Sequence, residues 1–409
     1  MIDLSIPVKL SGTDFINNKY EYYEQIREER PVHKAKISVL SVYTLARHED
    51  CSNILKDPRV LRNRSTVTGG RRFPIPMPKS IKPLVESMIQ EDDPNHRRLR
   101  ELVRRGFRPQ AIAQLEARID AYSHELLDGL AQHRELDLQS QYALPIPVRM
   151  ISDMMGISHA AMPKFQQVFG VVTKGLTGWR MFRTLFFDLP DTVKYVRELI
   201  GEKRANPGDD ILTGLIEAED EGDRLTEDEL VAMVFLLILA GYETTVHLIT
   251  NGVITLLDHP DQLDRLRSEP KLIDTAVEEI LRHRGPVHST KPGYANEDIE
   301  LHGVTIPRGK PIMPLFGAAN HDPRVFENPG TFDIARTPNR HLGFGHGVHF
   351  CLGAHLARAE ARLALLNLIE RFPDLHLAVD RSKLVLQHMP GWHRYDGLPV
   401  AVRQRRAAA

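Results

Sequence analysis

Apolar residues recur at intervals of three and four through Ile112–Leu130, Leu230–Leu257, Ile273–Arg282 and Ala354–Arg371, which predicts four helices. Strand-like stretches are fewer: Val39–Ala46, Ile299–Ile306, Pro311–Leu315 and Leu398–Val402. The run from Ile299 to Gly309 reads as a turn-linked hairpin. Prolines cluster at 74–83 and 286–338 and mark irregular segments of restricted geometry. The pattern as a whole predicts a mainly α chain with a small β portion. No linker, repeat or low-complexity segment divides it. One domain over residues 1–409 is expected, with a flexible extension at 1–14 and a flexible tail at 404–409.

The longest periodic stretch begins at a capping box, Thr226-Glu-Asp-Glu229, and stops before Pro260. About 30 residues at 1.5 Å each give a helix of roughly 45 Å. So long and so apolar a helix must cross the interior. Its middle reads Ala240-Gly-Tyr-Glu243-Thr244-Thr245, a set of poor helix formers in an apolar run. A threonine hydroxyl bonding one turn back, a glycine that lets the backbone open, and a glutamate reaching the surface would account for it. A functional acid–hydroxyl pair would account for it equally.

Composition narrows the function classes. The chain has 409 residues, 42% hydrophobic and 26% charged, the balance of a globular protein. A net charge of −1 gives no electrostatic footprint for nucleic acid. Two cysteines exclude a disulfide framework and suit a reducing, cytoplasmic compartment. The N-terminus has neither the signal-peptide pattern nor an anchor. The apolar run Val231–Gly241 is shorter than the roughly 20 residues of a membrane span. No membrane anchor is expected, and the chain is expected to act as a monomer.

The chemistry concentrates in His341-Leu-Gly-Phe-Gly-His-Gly-Val-His-Phe-Cys351-Leu-Gly-Ala-His-Leu-Ala-Arg358, one cysteine in a glycine-rich loop ahead of a helical pattern. A lone cysteine is most often a small buried hydrophobe. The surrounding His341, His346, His349 and His355 raise zinc as a rival, although structural zinc sites use paired ligands and no cysteine pair exists. A thiolate ligand to haem iron is the third reading, favoured by a helix N-terminus that keeps sulfur deprotonated.

Phe344, Gly347, Cys351 and Gly353 fit the pattern F-x-x-G-x-x-x-C-x-G, and from about residue 15 onward the chain resembles the cytochrome P450 family. The resemblance implies that fold, with haem b between a long distal helix and a proximal Cys loop and helix. It implies Cys351 as the metal ligand. Cofactor contacts would come from Ala240, Gly241, Phe344, Gly345 and Gly353. Ala240–Thr245 resembles the family's A-G-x-[DE]-T groove, which implies Glu243 and Thr244 as the catalytic proton-delivery pair. Glu279-Ile-Leu-Arg282 and Phe332-Asp-Ile-Ala-Arg336 resemble E-x-x-R and F-D-x-x-R, which implies a structural network of Glu279, Arg282 and Arg336. His96 and Arg100 resemble H-x-x-x-R and, with His349, would hold the haem propionates; Arg97, Arg98, Arg104 and Arg105 are expected as an exposed basic surface. Many relatives carry an arginine where this chain has Gly293, with Lys291 as a flexible substitute.

The implied activity is a monooxygenase that activates dioxygen and hydroxylates an apolar or amphipathic organic substrate. Its electrons would come from a separate ferredoxin-type donor and its reductase, for which Arg104, Arg105 and Arg108 offer a basic face. Substrate-pocket candidates are Leu236, Leu239, Val287, Ser289 and Trp392, with walls from Pro74–Val85 and an apolar lid of Trp179, Met181, Phe182, Phe186 and Phe187. The basic set Arg62, Arg64, Arg71, Arg72 and Lys79 would orient an anionic substrate. Two other functions compete. A peroxide-driven haem peroxygenase generally lacks the acid–threonine pair, and a non-catalytic helical zinc protein would be colourless.

Overall fold

The structure is a computed structural model and describes residues 2–70, 78–158, 161, 164, 168, 183–220 and 225–402. Its main helices are α1 (Lys19–Glu29), α2 (Asn95–Arg104), α3 (Pro109–Leu130), α4 (Pro145–Met154), α5 (Leu189–Ala205), α6 (Glu227–Asp258), α7 (Ile273–Arg284) and α8 (Ala354–Arg371). The chain divides into two compact units. The first holds Met1–Leu61, Glu116–Ile146 and Thr244–Ala409, the second Arg62–Leu115 and Pro147–Glu243.

All described strands belong to the first unit. A six-stranded sheet runs in the order β1-β2-β3-β9-β6-β4, with β1 Val8–Lys9, β2 Val32–Ile37, β3 Leu40–Leu45, β4 Val60–Leu61, β6 Gly293–Ala295 and β9 Pro311–Pro314. Three strands, β5 (Glu135–Asp137), β10 (His376–Leu377) and β11 (Pro399–Ala401), pair separately. The expected hairpin forms from β7 (Ile299–Leu301) and β8 (Val304–Ile306), antiparallel. One face of the six-stranded sheet packs Leu45, Ile312, Phe316 and Cys51 into a closed core. Cys51 is fully buried, and its Sγ lies 3.2 Å from the Leu45 carbonyl, so it acts as a small hydrophobe.

The described part of the second unit is helical. Along α2, His96, Leu99 and Val103 share the buried face at three- and four-residue spacing. Lys203 and Asp210 form an ion pair at 2.9 Å with both side chains largely buried.

Helix α6 starts where the capping box places it. The Thr226 amide donates to Glu229 Oε2 at 2.8 Å, and the Glu229 amide donates to Thr226 Oγ1 at 3.2 Å. It runs unbroken to Asp258 and is long and apolar enough to cross a membrane, with a most apolar window of mean hydropathy 1.7. Two thirds of that window (67%) is buried inside the protein, the condition of a core helix.

Candidate functional site

The Cys351 loop is shaped by backbone before any side chain acts. Gly345 and Gly347 both sit at φ +72°, the left-handed region glycine tolerates. A Cβ at Gly347 would also lie 2.6 Å from the Leu55 carbonyl oxygen. A short 3₁₀ turn, Gly347–His349, follows, and the Cys351 amide donates to the Phe344 carbonyl at 2.9 Å. The loop therefore closes on itself, and Cys351, half-buried and in no disulfide, precedes the first turn of α8. His349 is half-buried two residues before it.

Arg358, one turn into α8, is the cation of this loop. Its guanidinium stacks 4.5 Å from the Phe344 ring and donates to Glu278 at 2.6 and 2.8 Å. His341 contacts the same carboxylate at 3.1 Å. Burial alone would raise the Glu278 carboxyl, but Arg358 and His341 outweigh it and hold it at about 2. The pairing with Glu278 first, and then the charge of Cys351, raise the Arg358 guanidinium above its ordinary value. A cation that senses the sulfur in this way favours thiolate over thiol. The sequence reading had passed over both Arg358 and Glu278; only their meeting beside Phe344 reveals them.

The structure brings Glu279, Arg282 and Arg336 together. Arg282 donates to Glu279 at 2.8 and 2.7 Å with both side chains fully buried. Arg336 adds a contact at 3.2 Å and Asn339 one at 3.0 Å to the same carboxylate. Arg282 also donates to the carbonyls of Asn320, Pro329 and Thr331. This network ties α7 to the irregular chain that leads into His341, and so positions the cysteine loop.

In the middle of α6, besides Gly241, the accessible positions are Leu236, Leu239, Ala240, Glu243 and Thr244. They lie at i, i+3, i+4, i+7 and i+8, one continuous stripe. Gly241 lies off that stripe and corrects one expectation. The helix does not open there; a Cβ at Gly241 would stand 3.0 Å from Ile151 Cδ1, so the missing side chain makes room for α4.

One residue beside Thr245 carries no signal in the sequence. Glu360, on α8, is fully buried, and neither carboxyl oxygen has a hydrogen-bond partner of normal geometry among the described residues. Burial, opposed by the neighbouring Thr245 hydroxyl, pushes its pKa well up, which favours the protonated carboxyl. A glutamate among alanines and leucines carries no sequence signal; burial alone marks it.

On α2, His96 is almost fully buried, 3.6 Å from Asp93, and burial followed by the nearby Arg100 lowers its pKa. The pair thus shares one helix face as the spacing requires. The basic neighbours are not merely solvated: Arg97 pairs with Asp93, Arg104 with Glu101, and Arg98 with Glu229 of the α6 capping box.

Among the pocket candidates, Val287 and Trp392 form a β-bridge. Ser289 is instead buried, its hydroxyl donated to the Pro314 carbonyl at 2.8 Å, which withdraws it from any accessible wall. Gly293 has a packing reason, since a Cβ there would meet Val60 Cγ1 at 2.4 Å across the β4–β6 pair; a side chain as long as arginine is thereby disfavoured. Phe186 and Phe187 are exposed. Arg71, Arg72, residues 74–77, Trp179, Met181, Phe182, the tail 404–409, and the side chains of Lys79, Val85 and Arg105 lie outside the described residues.

Comparison with known proteins converges on one family. The family model described as Cytochrome P450 matches residues 147–384. Cytochrome P450 107B1 of Saccharopolyspora erythraea is 39% identical over 405 residues, covering 97% of this chain and 98% of the relative. The cytochrome P450 monooxygenase PikC of Streptomyces venezuelae is 36% identical over 410 residues, 97% of this chain and 94% of the relative. Among solved structures, myxobacterial cytochrome P450 CYP267B1 in complex with myristic acid superposes with a TM-score of 0.91 at 33% identity, covering 97% of this chain and 99% of that one.

Proposed function

This chain belongs to the cytochrome P450 family, has its fold and is a P450 monooxygenase; from that premise we propose that it holds haem b on the Cys351 thiolate and hydroxylates an apolar or amphipathic organic molecule. Haem-thiolate is the cofactor of the family, and when bound it supplies activation of dioxygen. The observation that carries the reading is the presentation of Cys351. It stands half-accessible on a loop held by two left-handed glycines, ahead of a helix N-terminus and within the field of Arg358.

The other residues take roles that their surroundings support. Arg358 and the first amides of α8 stabilise negative charge on sulfur. His96, Arg100 and His349 are the donors for the propionates, and Phe344, Gly345 and Gly353 allow close approach of the porphyrin. Ala240 belongs to the accessible stripe, whose apolar positions Leu236 and Leu239 form a dry wall. Glu243 and Thr244 lie at the end of that stripe, where a carboxyl and a hydroxyl one residue apart hold and pass protons. Val287 and Trp392, bridged to each other, are further apolar candidates for substrate contact.

A separate ferredoxin-type donor and its reductase supply electrons, with Arg104 and Arg108 among the basic groups available to an acidic partner. Two cysteines outside any disulfide, one deeply buried, suit the reducing cytoplasm.

The test begins with the carbon-monoxide spectrum of the reduced protein, expected to show the red-shifted Soret band of thiolate ligation. Cys351→His should fold and lose that band. Retention of the band in Cys351→Ala would overturn the assignment. Optical titration with fatty acids, terpenoids and macrolides then identifies the substrate class, followed by product analysis with ferredoxin and reductase.

A further inference from the structure

The first unit contains a cavity of about 490 Å³ that shares no lining residue with the Cys351 loop or the α6 stripe. The end of α1's N-terminal approach, the last residue of α7 and the segment 381–395 build it. One wall is cationic. Arg284 and Arg381 converge on a single carboxylate, Asp258; Arg381 Nε lies 3.1 and 3.2 Å from its two oxygens, and Arg284 Nη1 pairs with it as well. Arg381 also donates to the Tyr395 hydroxyl at 2.8 Å. Two guanidinium groups for one carboxylate leave a positive charge uncompensated. Buried Lys19, with Nζ 3.1 Å from the Trp392 carbonyl, adds another near the same segment.

His393 also lines the cavity, at 3% exposure, but its two ring nitrogens are sealed within the protein and do not open onto it. The lining also includes Leu384, Val385 and Leu386, with Val385 57% exposed. Cationic and aliphatic groups lining one cavity match an amphipathic anion, and planar guanidinium forks match a carboxylate. The volume suits a molecule of modest size.

We propose that this cavity is a second binding site, for a small organic carboxylate, with its head group held by Arg284 and Arg381 and its apolar part on Leu384, Val385 and Leu386. The site is built from residues the catalytic reading does not use. His393 is nonetheless close in sequence to that machinery: its amide donates to the Pro286 carbonyl at 2.9 Å, and the preceding Trp392 bridges to Val287.

Calorimetric titration of the full-length, haem-loaded protein, with an iron-binding azole filling the haem pocket, tests the assignment. The probes are hexanoate, its neutral analogue hexanamide, and inorganic phosphate. Hexanoate should bind saturably at one per chain, with hexanamide and phosphate each at least roughly tenfold weaker, the ratio expected for loss of one charge-assisted hydrogen bond. Arg381→Gln and Arg284→Gln should each weaken hexanoate by about tenfold or more. Leu386→Asp, outside the ion-pair cluster, should do the same, and it serves if an arginine variant fails to fold. Equal affinity for hexanoate and hexanamide, tighter binding of phosphate than of hexanoate, or hexanoate binding unchanged in folded Arg381→Gln and Leu386→Asp proteins would each overturn the proposal. The heat arises in a cavity separate from the cysteine loop, so the result stands whether or not Cys351 binds iron; without haem the azole is simply omitted.

Discussion

Truncating Arg282 to alanine removes five hydrogen bonds from one buried point. Two go to Glu279 and one each to the carbonyls of Asn320, Pro329 and Thr331. Glu279, fully buried, keeps Arg336, Asn339 and the Asp333 amide, so its charge is not wholly abandoned. Breaking a buried ion pair costs about 3–5 kcal/mol. The Thr331 carbonyl keeps Arg336 at 3.1 Å, and each of the other two carbonyls adds about 1 kcal/mol at the low end of the desolvation range. The total, about 5–7 kcal/mol, is comparable with the whole stability of many proteins, about 5–15 kcal/mol. The variant should therefore accumulate poorly, load little haem, and melt more than about 10 °C below the parent at one fixed scan rate. The double variant Glu279→Gln/Arg282→Met should be less damaged than Arg282→Ala, because it leaves no unpaired charge. Yield, the ratio of Soret to protein absorbance, and differential scanning calorimetry measure all three. An Arg282→Ala protein with parental yield and a melting temperature within about 2 °C of the parent would refute the reasoning, since no buried pair of this kind breaks so cheaply.

Thr244→Ala and Glu243→Gln should bind haem normally yet divert reductant to hydrogen peroxide, with product formation down by about 10²-fold or more; the ratio of product to reductant consumed is the measure, and unchanged coupling in both variants removes them from proton delivery. Burial holds neutral His283 at about 2 and His321 at about 3, so their contribution to stability is complete above pH 6.5 and declines as pH falls below it. His283→Phe should flatten the stability profile between pH 6.5 and 4.5, read by urea denaturation. Glu278, held at about 2, contributes fully above pH 4.5 and is lost as pH falls toward 2, so Glu278→Gln should lower stability at pH 7 and shrink the loss across that lower window. Glu360 carries the opposite sign: its pKa is raised by burial, so keeping it protonated costs stability increasingly above pH 4.5. Glu360→Gln should gain more in melting temperature at pH 8 than at pH 5.

Periodicity alone located α8 to the residue and α6 to within three residues of each end, because long apolar repeats and a capping box are local signals. Helix α5 escaped the same reading, and so did strand β2, a run of Val-His-Lys-Ala-Lys-Ile whose polar members alternate poorly. Its pairing with β3 on one side and β1 on the other decides that it is a strand. The central sheet joins β3 to β9 across more than 260 residues of chain, a pairing no local window contains.

The candidate site divides along the same line. Cys351, its glycines, the Glu279–Arg282 spacing and the Glu243–Thr244 pair were legible because their chemistry needs particular residue types at fixed short intervals. Glu278 with Arg358, Glu360 beneath Thr245, and the pairing of Arg284 and Arg381 on Asp258 were not. Each is an ordinary residue in an ordinary context until folding removes its water. Short-range order in this protein, its helix limits, turns and loop motif, is written in neighbouring residues. Burial and the company of distant charges are set by tertiary packing, and with them which carboxyl stays protonated, which hydroxyl is spent and where a glycine is required. The energies that decide those outcomes, desolvation and Coulomb attraction, depend on separation in space and not on separation along the chain.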